Sequence, residues 1–285
     1  MPLVTLREIL ADASSGRYGV LSLLGGNLEM ALGMIRAAER KRSPLILVYN
    51  EDVTPQVPME LAMPALVRAA QGAAVPVAIM LDHGRDLEHA VRAIHLGASA
   101  VMYDGSALPY EENVTRTREI ARVAHALGIS VEAELGSIAG SAVTLGGSGP
   151  EVAFTDPRVA DDFVERTGVD ALAISFGNAH GLYRGEPRLD MDRVREIRAA
   201  VDVPLAMHGA SGLEDSQYRT IVESGISKVC YYTAMGIGAS EAIRELLARA
   251  GPGGVVYHTV ISCAIDYFCQ ETMRLMDLVG SSGTV

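Results

Sequence analysis

The sequence predicts a (β/α)8 TIM barrel, an α/β fold, carrying a C-terminal helical extension. Three observations predict it. Apolar runs alternate with helix-like segments eight times along the chain. Some runs, such as Val77-Ala78-Ile79-Met80-Leu81, lack polar interruptions, as expected of strands buried on both faces of a parallel sheet. Polar residues followed by glycine gather where several runs end, and strand carboxyl ends are where parallel α/β proteins place their chemistry. A doubly wound open sheet would need a Gly-rich dinucleotide turn after the first strand, and Leu24-Gly25-Gly26-Asn27 is not that turn. We expect one domain over residues 1–285, with 251–285 as the extension.

The elements follow in order. Tyr18–Leu24 reads as the first strand and Asn27–Arg42 as its helix, capped by Asn27. Pro44–Tyr49 is the second strand, followed by a Pro-rich loop and a helix over Met59–Gln71. Pro76–Leu81 is the third strand, with Asp86 capping the helix Asp86–His95. Ala98–Tyr103 and Pro109–Leu127 form the fourth pair, and Ile129–Leu135 is the fifth strand. A Gly/Ser-rich segment, Gly136–Pro150, precedes the helix Asp156–Thr167. Ala171–Ser175 is the sixth strand, and the loop Phe176–Leu189 leads to the helix Asp190–Ala200. Pro204–Met207 with Glu214–Ser224, then Lys228–Tyr232 with Ser240–Arg249, complete the eight pairs. Val255–Leu278 is a long helical pattern with two apolar faces, suited to the barrel and a second subunit, or to a simple cap.

Composition narrows the function. The chain has 285 residues, 49% of them hydrophobic, enough for one large core. A formal charge of −11 with no basic stripe argues against nucleic acid and anionic membranes as partners. No apolar run approaches the roughly 18 residues of a spanning helix, and Met1-Pro2-Leu3-Val4-Thr5 does not start a signal peptide. Cys230, Cys263 and Cys269 lack zinc-type spacing and read as free thiols of a reducing cytoplasm. With no Trp and only 4 Phe, an aromatic stacking surface is not expected.

The histidines divide into two groups. His89, His95, His125 and His258 fall in helical or terminal stretches and read as surface or locally paired residues. His83, His180 and His208 fall at or just after the ends of strands three, six and seven, and each precedes a glycine. A barrel brings those ends to one face, so three imidazoles with an open fourth position make a catalytic zinc-type arrangement. The alternative is three unconnected loop histidines. Asp82 is placed for general acid/base work, or as a structural acid capping the turn. Asp104 and Glu134 could support the ligands or form a secondary metal position, and Glu132 reads as one member of an ion pair. Gly209-Ala210-Ser211-Gly212 and Tyr232-Thr233-Ala234 follow strands seven and eight, the usual barrel phosphate site, unless they are ordinary turns.

Taken together, Leu81-Asp82-His83-Gly84, Val101-Met102-Tyr103-Asp104-Gly105-Ser106, Val131-Glu132-Ala133-Glu134-Leu135-Gly136, Ala179-His180-Gly181 and His208-Gly209-Ala210-Ser211-Gly212 resemble the class II, metal-dependent ketose-bisphosphate aldolases. The resemblance runs from about Leu3 to Arg249. It implies a lyase that cleaves a C–C bond of a phosphorylated ketose or related ketone through a metal-stabilised enediolate. It implies zinc (with cobalt or manganese as alternatives) on His83, His180 and His208, and Asp82 as acid/base for the aldehyde-side hydroxyl. Gly181, Gly209, Ala210, Ser211 and Thr233 would bind the ketose phosphate. A homodimer or homotetramer is expected.

The departures are specific. Ser22-Leu23-Leu24 stands where the family carries Ala-Phe-Asn, and Cys230-Tyr231-Tyr232-Thr233 where it carries Asn-x-Asp-Thr. Ser141-Ala142 follows Gly140 where an acidic pair is usual, and Glu51–Pro58 lacks the usual Gly-Ala pair. Glu151, in the same loop as Gly140, is a candidate replacement base. The departures leave room for an isomerase or decarboxylase working through a metal enolate, or for a non-catalytic subunit.

Overall fold

The computed structural model describes residues 2–140, 153–183 and 185–285, so Ser141, Ala142 and Glu151 lie outside the described residues. Eight parallel strands close a barrel in chain order: β1 (Val20–Leu24), β2 (Leu45–Tyr49), β3 (Val77–Gly84), β4 (Ala100–Tyr103), β5 (Ser130–Leu135), β6 (Ala171–Ile174), β7 (Leu205–Met207) and β8 (Ile226–Tyr231). The helices α2 (Leu28–Lys41), α3 (Met59–Gln71), α4 (Leu87–His95), α5 (Tyr110–Ala126), α6 (Pro157–Thr167), α7 (Met191–Ala200), α8 (Asp215–Ser224) and α9 (Thr233–Ala250) each follow one strand. Asn27 and Asp86 cap their helices by accepting from the Met30 and His89 N–H groups.

An N-terminal helix, α1 (Leu6–Gly16), was not expected from the strand–helix rhythm. A capping box between Thr5 and Glu8 starts it. Its buried face, Leu6, Ile9, Leu10 and Ala13, packs with the barrel-lining residues Val20, Ile46, Ala78, Ala100 and Ala171. Leu3 pairs with Val77 at the start of β3, and Arg7 forms an ion pair with Asp170 just before β6. The helix therefore stoppers the barrel at the amino ends of its strands. The outer core lies between the sheet and the helical ring, from Leu21, Leu47 and Ile79 on the strands to Met34, Leu66 and Val194 on the helices.

Inside the barrel the lining is mostly small. Ala78, Ala100, Ala171, Ala173 and Ala206 leave the volume that Met80, Met102 and a buried lysine fill. Inward positions alternate along each strand, placing Glu132 and Glu134 of β5, and Lys228 and Cys230 of β8, toward the barrel axis.

Two boundaries differ from expectation in ways that matter for the site. β3 extends to Gly84, with an irregularity in its pairing to β4 between Leu81 and Gly84. The last barrel helix, α9, begins at Thr233, directly after β8, rather than at Ser240. The C-terminal helix α10 (Tyr257–Leu278) lies across α2 and α9, burying Phe268, Cys269, Leu275 and Met276. Val256 and Tyr257, at its start, are exposed. Among the described residues, no helix is long and apolar enough to cross a membrane.

Candidate active site

A cavity of about 430 Å³ opens at the carboxyl ends of the strands, lined by residues from most of the barrel. Its floor carries the chemistry. Adjacent strand residues ordinarily face opposite ways, yet Asp82 and His83 both line this cavity. The irregularity in β3 and a left-handed backbone at His83 (φ 50°) turn both side chains to the same side. Gly84 then passes so close to β4 that a Cβ would lie 2.5 Å from the Met102 carbonyl oxygen.

Three imidazole rings converge. Ring centroids of His83, His180 and His208 lie 4.8 to 5.8 Å apart. One nitrogen from each falls within 4.8 Å of the others, a group able to hold a metal ion. Partners elsewhere orient two of the rings. His83 Nδ1 is 2.8 Å from Asp104 Oδ2, and Asp104 Oδ1 accepts from the Ser106 hydroxyl and N–H. His208 Nε2 is 2.9 Å from Glu132 Oε1. His83 therefore offers Nε2 and His208 offers Nδ1 to the centre, each backed by a carboxylate, as in metal sites whose outer partners fix the tautomer.

Glu132 is itself held by Lys228. Lys228 Nζ donates to the same Oε1 at 2.8 Å, and both residues have no exposed surface. Asp82 is held from β2, where Asn50 Nδ2 donates to its Oδ2 at 3.0 Å. Its other oxygen, Oδ1, is buried without a hydrogen-bond partner among the described residues and lies 4.0 Å from His208 Nδ1.

Electrostatics separates these groups. Burial pushes the Asp82 carboxyl up, but His83, His208, Lys228 and the Asn50 hydrogen bond outweigh it and hold it down at about 2. Burial and the neighbouring charges of His83 and His208 push His180 down to about 3. Its ring is therefore neutral near pH 7, the form that binds a metal. Burial lowers His83, but Asp82 and Asp104 outweigh it and raise it to about 9. Burial and the charge of Asp104 raise Glu134 to about 7. Glu134 forms a second possible cluster with His83 and Asp104.

The loops after β6 and β7 are tied together. Asn178 Nδ2 donates to the His208 carbonyl, and the Tyr183 hydroxyl donates to the Gly209 carbonyl at 2.7 Å. Gly209 has φ 72°, and a Cβ there would lie 2.1 Å from the Ala179 carbonyl oxygen. We expect Gly209→Ala to destabilise the protein by about 1–3 kcal/mol, read as a lower midpoint in denaturant melts. An unchanged midpoint would show that the two loops can separate without cost.

Gly181, Gly209, Ser211 and Thr233 all line the cavity. Thr233 begins α9, so the helix amino terminus faces this part of the cavity, a favourable place for an anion. Ala210 does not line the cavity: it is buried, and its N–H donates to the Cys230 carbonyl. Its N–H is thus engaged with β8. Ser22, Leu24, Asn50 and Cys230 also line the cavity. The Asn50 and Lys228 contacts were missed from sequence. Lys228 in an apolar strand was the available signal, because a buried lysine needs a partner.

The family model described as "Fructose-bisphosphate aldolase class-II" matches residues 4–284. The chain is 38% identical over 286 residues to the fructose-bisphosphate aldolase of Geobacillus stearothermophilus, covering 99% of both chains. It is 34% identical over 250 residues to the fructose-bisphosphate aldolase of Staphylococcus aureus, covering 87% of both. The crystal structure of the YdjI aldolase from Escherichia coli K12 superposes with a TM-score of 0.87 at 34% identity, over 99% of this chain and 98% of that one.

Proposed function

The chain belongs to the class-II fructose-bisphosphate aldolase family and is a lyase, and on that premise we propose that it cleaves and forms a C–C bond of a phosphorylated ketose. In this reading His83, His180 and His208 hold one divalent metal, zinc, with cobalt or manganese able to replace it. The observation that carries the reading is the arrangement of the three imidazoles: their nitrogens converge while Asp104 and Glu132 occupy the outward nitrogens of two rings. The buried Asp82 Oδ1, without a hydrogen-bond partner among the described residues, also fits a bound cation or a substrate hydroxyl beside it. When bound, such a cation supplies Lewis-acid polarisation of the ketone carbonyl.

The protein's own groups do the rest. Asp82, ionised and steadied by Asn50, takes the proton of the hydroxyl on the carbon that becomes the aldehyde. The C–C bond breaks, its electron pair passes to the ketone half as an enediolate, and the new aldehyde leaves. Condensation runs the same path backwards, with Asp82 returning the proton. The enediolate carbon then gains a proton from a second group, for which Glu151 is the candidate from its place in the chain. The α9 terminus, Ser211, Thr233 and the glycine backbones at 181 and 209 would hold the phosphate and orient the ketone. We also place the protein in the cytoplasm as a homodimer or homotetramer.

The test is solvent deuterium exchange followed by NMR on zinc-loaded protein. Dihydroxyacetone phosphate, dihydroxyacetone, pyruvate and hydroxypyruvate are offered separately. Exchange into dihydroxyacetone phosphate is the expected result. Exchange only into another compound would replace the phosphorylated ketose with a different substrate class, and no exchange would overturn the cleavage reading. Metal analysis adds a second arm. His83→Ala is expected to bind zinc at least about 10-fold more weakly, and zinc bound as tightly as before would remove His83 from the ligand set.

A further inference from the structure

One wall of the cavity has a buried hydroxyl that no described residue uses. Ser22 lies in β1, in register with Cys230 of β8, and both residues line the cavity. Ser22 is 1% exposed, and its Oγ has no hydrogen-bond partner among the described residues. A buried hydroxyl without a partner is a net cost to the fold, so this position is not explained by stability. Alanine would fill it better.

The surroundings restrict what could answer that hydroxyl. Leu24, Val48 and Val53 line the cavity with it, and Leu24 and Val48 are buried. Cys230 offers only a weak sulfur donor. Among these five residues the Ser22 hydroxyl is the strongest hydrogen-bonding group, and it suits a neutral ligand oxygen. The anion-favouring part of the cavity, at Ser211, Thr233 and the start of α9, belongs to β7 and β8 loops.

We propose that Ser22 is a specificity-determining residue, whose hydroxyl hydrogen-bonds the neutral hydroxyl on the carbon of the ketone half that forms the new C–C bond. The inference rests on the aldolase reading above and deepens it. The favoured ketone half is an α-hydroxyketone with its charge at the opposite end. A site built to bond a substrate hydroxyl rejects the analogue that lacks it, because the protein's own group is then left unpaired. Ser22→Ala removes that discrimination while leaving the imidazoles and Asp82 in place.

The experiment compares deuterium exchange into dihydroxyacetone phosphate and into hydroxyacetone phosphate, which lacks the hydroxyl in question. Both are offered to zinc-loaded wild type and to zinc-loaded Ser22→Ala. Wild type is expected to favour the hydroxylated compound, and Ser22→Ala to lower that preference about 10-fold. Its zinc content is expected to stay the same and its melting temperature to hold or rise. An unchanged preference in Ser22→Ala overturns the inference and leaves the aldolase reading standing. So does a lowered melting temperature with the preference intact, which would make Ser22 structural. Failure of wild type to exchange either compound overturns the aldolase reading, and the inference with it.

Discussion

Asp82→Asn is expected to slow aldol cleavage by about 10²- to 10⁴-fold and to leave zinc content unchanged. The substitution keeps the shape of the side chain, and an amide oxygen still accepts from Asn50. It removes the capacity to take a proton. Asp82 lines the cavity beside His83, held well below the ordinary carboxylate range, so its wild-type form near pH 7 is the anion a general base requires. Steady-state cleavage rates alongside metal analysis check both halves of this expectation. Full activity in the variant would discard Asp82 as the acid/base. Loss of zinc together with activity would assign it to holding the metal site together.

Lys228→Met is expected to lower stability by about 3–5 kcal/mol, the cost of breaking a buried ion pair from one side. Lys228 and Glu132 have no exposed surface, and the lysine donates to the oxygen that also meets His208. Removing the lysine leaves an anion inside the barrel with only an imidazole to answer it. Denaturant melts of Lys228→Met measure the loss. The double variant Lys228→Met with Glu132→Gln should regain much of it, because the stranded charge is gone. A single variant within about 1 kcal/mol of wild type would show that water reaches Glu132 freely.

The barrel was legible because each buried strand repeats the same apolar signal between helix-period segments, with caps such as Asn27 and Asp86 marking the starts. The convergence of His83, His180 and His208 was legible for the same reason, once their strands were ordered around a closed sheet. What escaped depended on partners or on unusual backbone. Glu132 and Lys228 are 96 residues apart, and nothing local links them. The strand period alone would send Asp82 and His83 to opposite faces, and the irregular pairing of β3 with the left-handed backbone at His83 unites them. The early start of α9 was hidden by Gly236 and Gly238, poor helix residues in isolation. There the packed neighbours decide, with the Tyr267 side chain against Gly238. The helix α1 did carry a local sign, the Thr5–Glu8 capping box, but it stands before the first strand and outside the eightfold rhythm.

That first helix makes the barrel a cup and not a pipe. Leu6, Ile9 and Leu10 are buried in the lower opening, on the amino-end side of the buried Lys228 and Glu132. Attraction between opposite charges is about fourfold weaker in bulk water than at the effective dielectric of a protein interior. The helix at the end of the barrel opposite the cavity thus acts as the insulation of the polar chain leading from Lys228 through Glu132 to His208.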